Sequence, residues 1–266
     1  MVGIARVGVR RAAVFMGLGL HAAARPDFND YELSKLPVLP GEVGLPMDFV
    51  PRDAPQHVVE RFKAEFAIWI AGCGLRELLE HYALFVDHVH RAGLVVLHSR
   101  GLESALGDPK KLHANFHRTP GVPAKLAMLA DRFGMAPDKP EYISSLYKAR
   151  NCLTHGVGVV TPQNADANGE LRLRWLTLEV YARGEETGQI VPPRTLIGKV
   201  TTEPMSIEGK QVEREKVFKT GEQITLTQQD LWEICYFFNA NCIPTLVRSM
   251  AEFFQKHGVP INAPHP

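Results

Sequence analysis

The sequence predicts a mainly α protein: a helical bundle carrying a small antiparallel β insertion ahead of its last helix. Three observations carry that reading. Apolar residues recur at helical spacing from Gln56 to His155. The period then switches to alternation, broken by glycine-containing turn signals, over 161–226. Helical spacing returns after Thr227. Helices before a strand run and a helix after it make one bundle interrupted by a sheet. The organisation is thus a tail and extended arm over 1–50, the first part of the bundle over 51–160, the sheet over 161–226 and a closing helix over 227–258.

Residues 1–25 carry Arg6, Arg10, Arg11 and Arg25, no acid before Asp27, and a short apolar centre, AAVFMGLGL. This has the outline of a secretory signal, with small residues at Ala22–Ala24. The alternative is a tail running to about Met47, left by a start codon placed too early. From Asp27 to Pro55 five prolines and two glycines with little periodicity predict an extended arm.

The first strong helix runs from near Gln56 toward Leu97, with Phe62, Phe66, Trp69, Ile70, Leu78, Leu79, Tyr82, Phe85, Val86 and Val89 as its apolar set. Gly72, Gly74 and Gly93 are candidate breaks. Ser99–Pro123 reads as a polar connection containing Lys110, Lys111, His113, His117 and Arg118. Its two histidines are four apart, the spacing of a zinc pair on a helix, but no third ligand stands beside them in sequence, and the reading is no metal and no cofactor. A basic surface able to meet phosphate is the simpler account. KLAMLADRF, within Ala124–Phe133, predicts a helix closed by Gly134, and Tyr142, Leu146, Ala149 and Leu153 predict another that ends at Gly156 and Gly158. Strands are expected at Leu171–Ala182, Ile190–Val200 and Val212–Leu226, separated by turn signals such as Asn168-Gly169 and Glu208-Gly209. Thr227-Gln228-Gln229-Asp230 is a capping-box-like start for the final helix, which Pro244 should kink or split and Gly258 should end.

Composition bounds the function. A net charge of +1 over 266 residues supplies no global field for nucleic acid, so any RNA contact must come from a local patch. Lys110, Lys111, His117, Arg118 and Lys148 are the candidates for it. Cys73, Cys152, Cys235 and Cys242 are scattered through apolar patterns with no C-x-x-C pair, which suits reduced core thiols in the cytoplasm better than a secreted protein. With no uncharged run of 18 apolar residues, no membrane span is expected.

Arg150-Asn151-Cys152-Leu153-Thr154-His155 holds the chain's most concentrated polar chemistry. The bare R-x4-H spacing also occurs at Arg52/His57, with Pro55 inside it, and at Arg76/His81, with Glu77 and Glu80 between them on a long helix. Only the third occurrence has the Asn, the apolar middle and the terminating glycines. Arg150 and His155 lie about 140° apart on an ideal helix, whereas Asn151 shares a face with His155. The motif resembles the R-N-x-x-x-H motif of HEPN domains, specifically of an uncharacterised bacterial branch. The resemblance covers the helices of Gln56–His155 and Thr227–His257; the arm and sheet lie outside a minimal HEPN domain.

That resemblance implies a metal-independent endoribonuclease, of the kind acting in toxin–antitoxin or phage-defence systems, or else a non-catalytic HEPN-like binding or interaction module. For the enzyme, Arg150, Asn151 and His155 are the catalytic candidates. RNA, a second copy of the chain and a cognate antitoxin or other protein are the implied partners. Cleavage needs a base for the 2′-hydroxyl, an acid for the leaving oxygen and positive charge on the phosphate. His155 suits proton exchange near neutral pH and Arg150 suits phosphate. One such histidine per chain makes a homodimer the natural source of the second acid–base group. The bland alternative is structural: His155 as a helix-end residue, Asn151 satisfying a buried carbonyl, and Arg150 paired with an acid from another element.

Overall fold

The computed structural model describes residues 1–25, 55–101 and 107–260. The α content and the small sheet ahead of the last helices are as the periodicity predicts. The described elements are α1 (Val2–Ala23), α2 (Gln56–Ser99), α3 (Pro109–Arg118), α4 (Val122–Phe133), α5 (Pro140–His155), β1 (Glu170–Gly184), β2 (Ile190–Val191), β3 (Met205–Lys219), α6 (Gln228–Phe237) and α7 (Ile243–Lys256). The predicted arm lies outside the described residues.

Residues 2–23 are a helix and not a tail. Ala5, Gly8, Ala12, Met16 and Ala23 are buried on its inner face, and it runs antiparallel along α2. The small residues explain the close fit. A Cβ on Gly8 would sit 2.2 Å from the Cβ of His81, and one on Gly74 would sit 2.0 Å from Met16 Sδ. The glycines of α2 therefore break nothing: α2 continues to Ser99, with Gly72 against Leu153 and Gly93 against Phe133. Burial of the helix surface offsets the roughly 1 kcal/mol that each glycine costs in propensity.

The polar connection contains a helix, α3, started by Asp108, whose carboxylate accepts the Lys110 N–H at 2.9 Å, and by Pro109 in its first turn. The sheet has the order β2-β1-β3, all antiparallel. The predicted second strand shrinks to two residues, because Pro192 and Pro193 cannot donate to a ladder and a 3₁₀ turn over Pro193–Leu196 follows. The third starts at Met205, after Pro204, and ends at Lys219; Thr220–Leu226 turns away toward α6. Leu171, Leu173, Trp175 and Thr177 alternate inward from β1 toward α5 and α6, and Trp175 Nε1 donates to Glu233 at 2.9 Å. Thr227 and Asp230 form the expected capping box. Pro244 splits the final helix through a π turn over Phe238–Cys242, which seats Tyr82 edge-on against Phe238 with ring centroids 5.2 Å apart. No helix among the described residues is long and apolar enough to cross a membrane.

Candidate functional site

The motif lies on the last two turns of α5, where Gly156 and the positive-φ pair Val157 (52°) and Gly158 (80°) reverse the chain. Gly158 N–H closes the helix on Cys152 O, and Gly158 O accepts from Ile224 N at 2.7 Å, tying the turn to the segment before α6. The end of α5 is thus a fixed platform.

The motif side chains diverge from it. Arg150 is mostly buried and points toward α2, with Nη2 3.7 Å from Glu80 Oε1 and Nη1 donating to Asn151 Oδ1 at 3.1 Å. It edges a cleft of about 170 Å³ lined by Leu79, Glu80, Ala83, Thr119, Lys125 and Tyr147 among others. His155 is exposed at the helix end, has no hydrogen-bond partner among the described residues and does not line that cleft. Asn151 orients Arg150, not the imidazole. Between them, Cys152 is buried, and desolvation pushes its thiol above the usual range. The acid that the sequence left unidentified as a partner for Arg150 is Glu80, contributed by α2.

The five candidate RNA contacts do not form one patch. Lys110, Lys111 and Arg118 are exposed on α3. Lys148 is on α5, where it helps, after the Glu170 and Asn168 backbone N–H groups and beside Arg172, to hold Asp166 below the ordinary carboxylate range. His117 is bound to α2, with Nδ1 2.7 Å from Asp87 Oδ2.

That Asp87 contact belongs to a buried polar network the sequence reading missed. Asp87 also accepts from Lys125 Nζ of α4 at 2.7 Å, with only 8% and 7% of the two side chains exposed. One turn along α2, His90 is fully buried and stacks on Phe116, with centroids 3.8 Å apart and planes 8° apart. Arg132 Nη1 lies 2.7 Å from His90 Nε2, and His90 Nδ1 lies 3.2 Å from His113 Nδ1. Burial first, then the Arg132 charge, lowers the His90 pKa to about 3. Burial likewise lowers that of His113. The available signal was Asp87 and His90 inside the apolar run LFVDHVHRAGLVV, since charged or titratable groups on a buried helix face need partners.

Glu80, Ala83, Asp87, Arg91, Leu94 and His98 form one stripe of α2 at three- and four-residue steps. It joins the Arg150 cleft to a second cavity of about 750 Å³ between α2 and α3. Among the described residues no group of three or more His, Cys, Asp or Glu side chains could hold a metal ion. Comparison with protein-family models, with curated proteins and with solved structures finds no match to this chain.

Proposed function

We propose that the protein is a HEPN-like binding module acting in the cytoplasm, in which the motif arginine serves the fold. The observation that carries this reading is the retention of Arg150 by the chain's own Glu80 and Asn151, on a different side of α5 from His155. A catalytic pair would need both groups on one phosphate. Here the cation faces a carboxylate across the helix interface at 3.7 Å, and its fork is turned inward.

Metal-independent RNA cleavage, in a toxin–antitoxin or phage-defence setting, is the second reading, and the exposure of His155 favours it. It requires Arg150 to leave Glu80, a half-exposed partner at 3.7 Å, and a second subunit or water to supply the other acid–base group. In that case RNA, a second copy of the chain and an antitoxin are the partners to expect.

The deciding experiment incubates purified protein with a mixed RNA pool in EDTA, beside His155→Ala and Arg150→Ala. The module reading predicts intact RNA in all three. Cleavage by the wild type that both variants lose would replace it with the enzyme reading.

A further inference from the structure

The cavity between α2 and α3 is chemically two-sided. Leu94, Val95, Pro109 and Ala114 give it an apolar floor, with Val95 60% exposed there, and Arg91, His98, Lys110, His113 and His117 surround that floor. Among the described residues one acid, Asp108, lines it, and that carboxylate is occupied in capping α3. Arg91 and Lys110 have no carboxylate within ion-pair distance among the described residues. Cavities of 300–1,000 Å³ with an apolar lining and a few convergent polar groups are typical of sites for small organic ligands.

The buried network fixes what the imidazoles offer. An arginine can only donate, so His90 Nε2 accepts from Arg132, and neutral His90 must carry its proton on Nδ1. That proton goes to His113 Nδ1, which therefore accepts, so His113 carries its own proton on Nε2. At its His113 end the chain Arg132, His90, His113 presents an Nε2–H donor that nothing else among the described residues takes up. His117, one turn further along α3, likewise has Nδ1 committed to Asp87. A metal at His113 would have to displace the Nε2 proton that the network imposes, so the site is built to donate to an anion.

We propose that the α2–α3 cavity binds an amphipathic organic anion, with a carboxylate or phosphate-monoester head held by Arg91, Lys110 and His113 and an apolar chain laid on Leu94, Val95, Pro109 and Ala114. This site is independent of whether the α5 motif cleaves RNA. An apolar body distinguishes such a ligand from nucleic acid, whose backbone would use the cations and leave the floor bare.

The test is titration of the full chain by calorimetry and by ¹⁵N detection of histidine side chains. The probes are octanoate, octyl phosphate, inorganic phosphate, 1-octanol and a single-stranded RNA oligonucleotide, and the proteins are wild type and Arg91→Gln/Lys110→Gln. Both substituted residues are exposed, so the double variant retains the fold, which its unfolding curve verifies. Saturable one-to-one binding of octanoate or octyl phosphate is expected, with a shift of the His113 Nε2 resonance and affinity at least about 10-fold weaker in the double variant, as for loss of charge-assisted contacts. Inorganic phosphate and 1-octanol should each bind more weakly than the probe that joins their chemistries. The relative strength of the two amphiphiles identifies the head. The proposal is overturned by lack of saturable binding of either amphiphile, by equal binding to the double variant, by 1-octanol binding as tightly as the anions, or by RNA alone shifting His113.

Discussion

Several polar residues lie buried in the helical core, Asp87, His90 and Lys125 among them. Asp87 and Lys125 are enclosed by helices, and each makes the other tolerable, since without Lys125 the buried carboxylate would keep only the mostly exposed imidazole of His117 as a partner. Lys125→Met should therefore cost about 3–5 kcal/mol of unfolding free energy. Asp87→Leu combined with Lys125→Met should recover much of that loss in urea titrations, because the double variant leaves no orphaned charge. His90 contributes a pH dependence, in the same direction as its neighbour His113. Its folded-state pKa, near 3, is below the ordinary histidine value of about 6.5. The unfolded chain then binds the extra proton first as pH falls. The stability that His90 contributes is fully present above about pH 6.5 and declines as pH drops toward 3, at up to about 1.4 kcal/mol per unit for one proton. His90→Gln should flatten that part of the stability curve between pH 6.5 and 4, measured as the difference from wild type in matched unfolding series.

Among the elements, the pair α1 and α2 depends on absent side chains. Gly8→Ala improves helix propensity by about 1 kcal/mol yet places a methyl group against the His81 Cβ, an atom fixed to the α2 backbone. The clash should prevail, with net destabilisation of about 1–3 kcal/mol and a lower Tm. Gly74→Ala meets only the flexible end of Met16 and should cost less than Gly8→Ala in the same thermal scan. From the sequence, Gly74 is a candidate break, like Gly72 and Gly93, because propensity is local. Their use is visible only when the facing helix is in place. A tail is expected over 1–25 for the same reason, since small residues spaced through an arginine-containing stretch give little periodic signal until a partner covers them.

At the scale of the whole molecule, the sheet is anchored at one end. Trp175 is buried under α6 and bonded to Glu233, whereas Ile197 and Val200 near the far end are 80% and 99% exposed. Trp175→Ala should destabilise the protein by about 3–5 kcal/mol. Replacing residues 187–202 by a two-residue Asn-Gly turn should change unfolding free energy by less than about 1 kcal/mol, since little apolar surface there is buried. Comparable losses in the two variants would contradict an anchored base and a free tip.

The sequence by itself determined the helical class, the place of the sheet, the capping box at Thr227, the split at Pro244 and the end of α5 at Gly156, because each follows from periodicity or from one residue's backbone chemistry. It also located the motif residues without locating their side chains. Only the tertiary structure decided that Arg150 turns to Glu80 while His155 stays in the open, and that Asp87, His90, His113, Lys125 and Arg132 meet. Those partners come from four helices up to 70 residues apart in the chain, and which side chains face one another across helices is set by packing, not by spacing along any one of them.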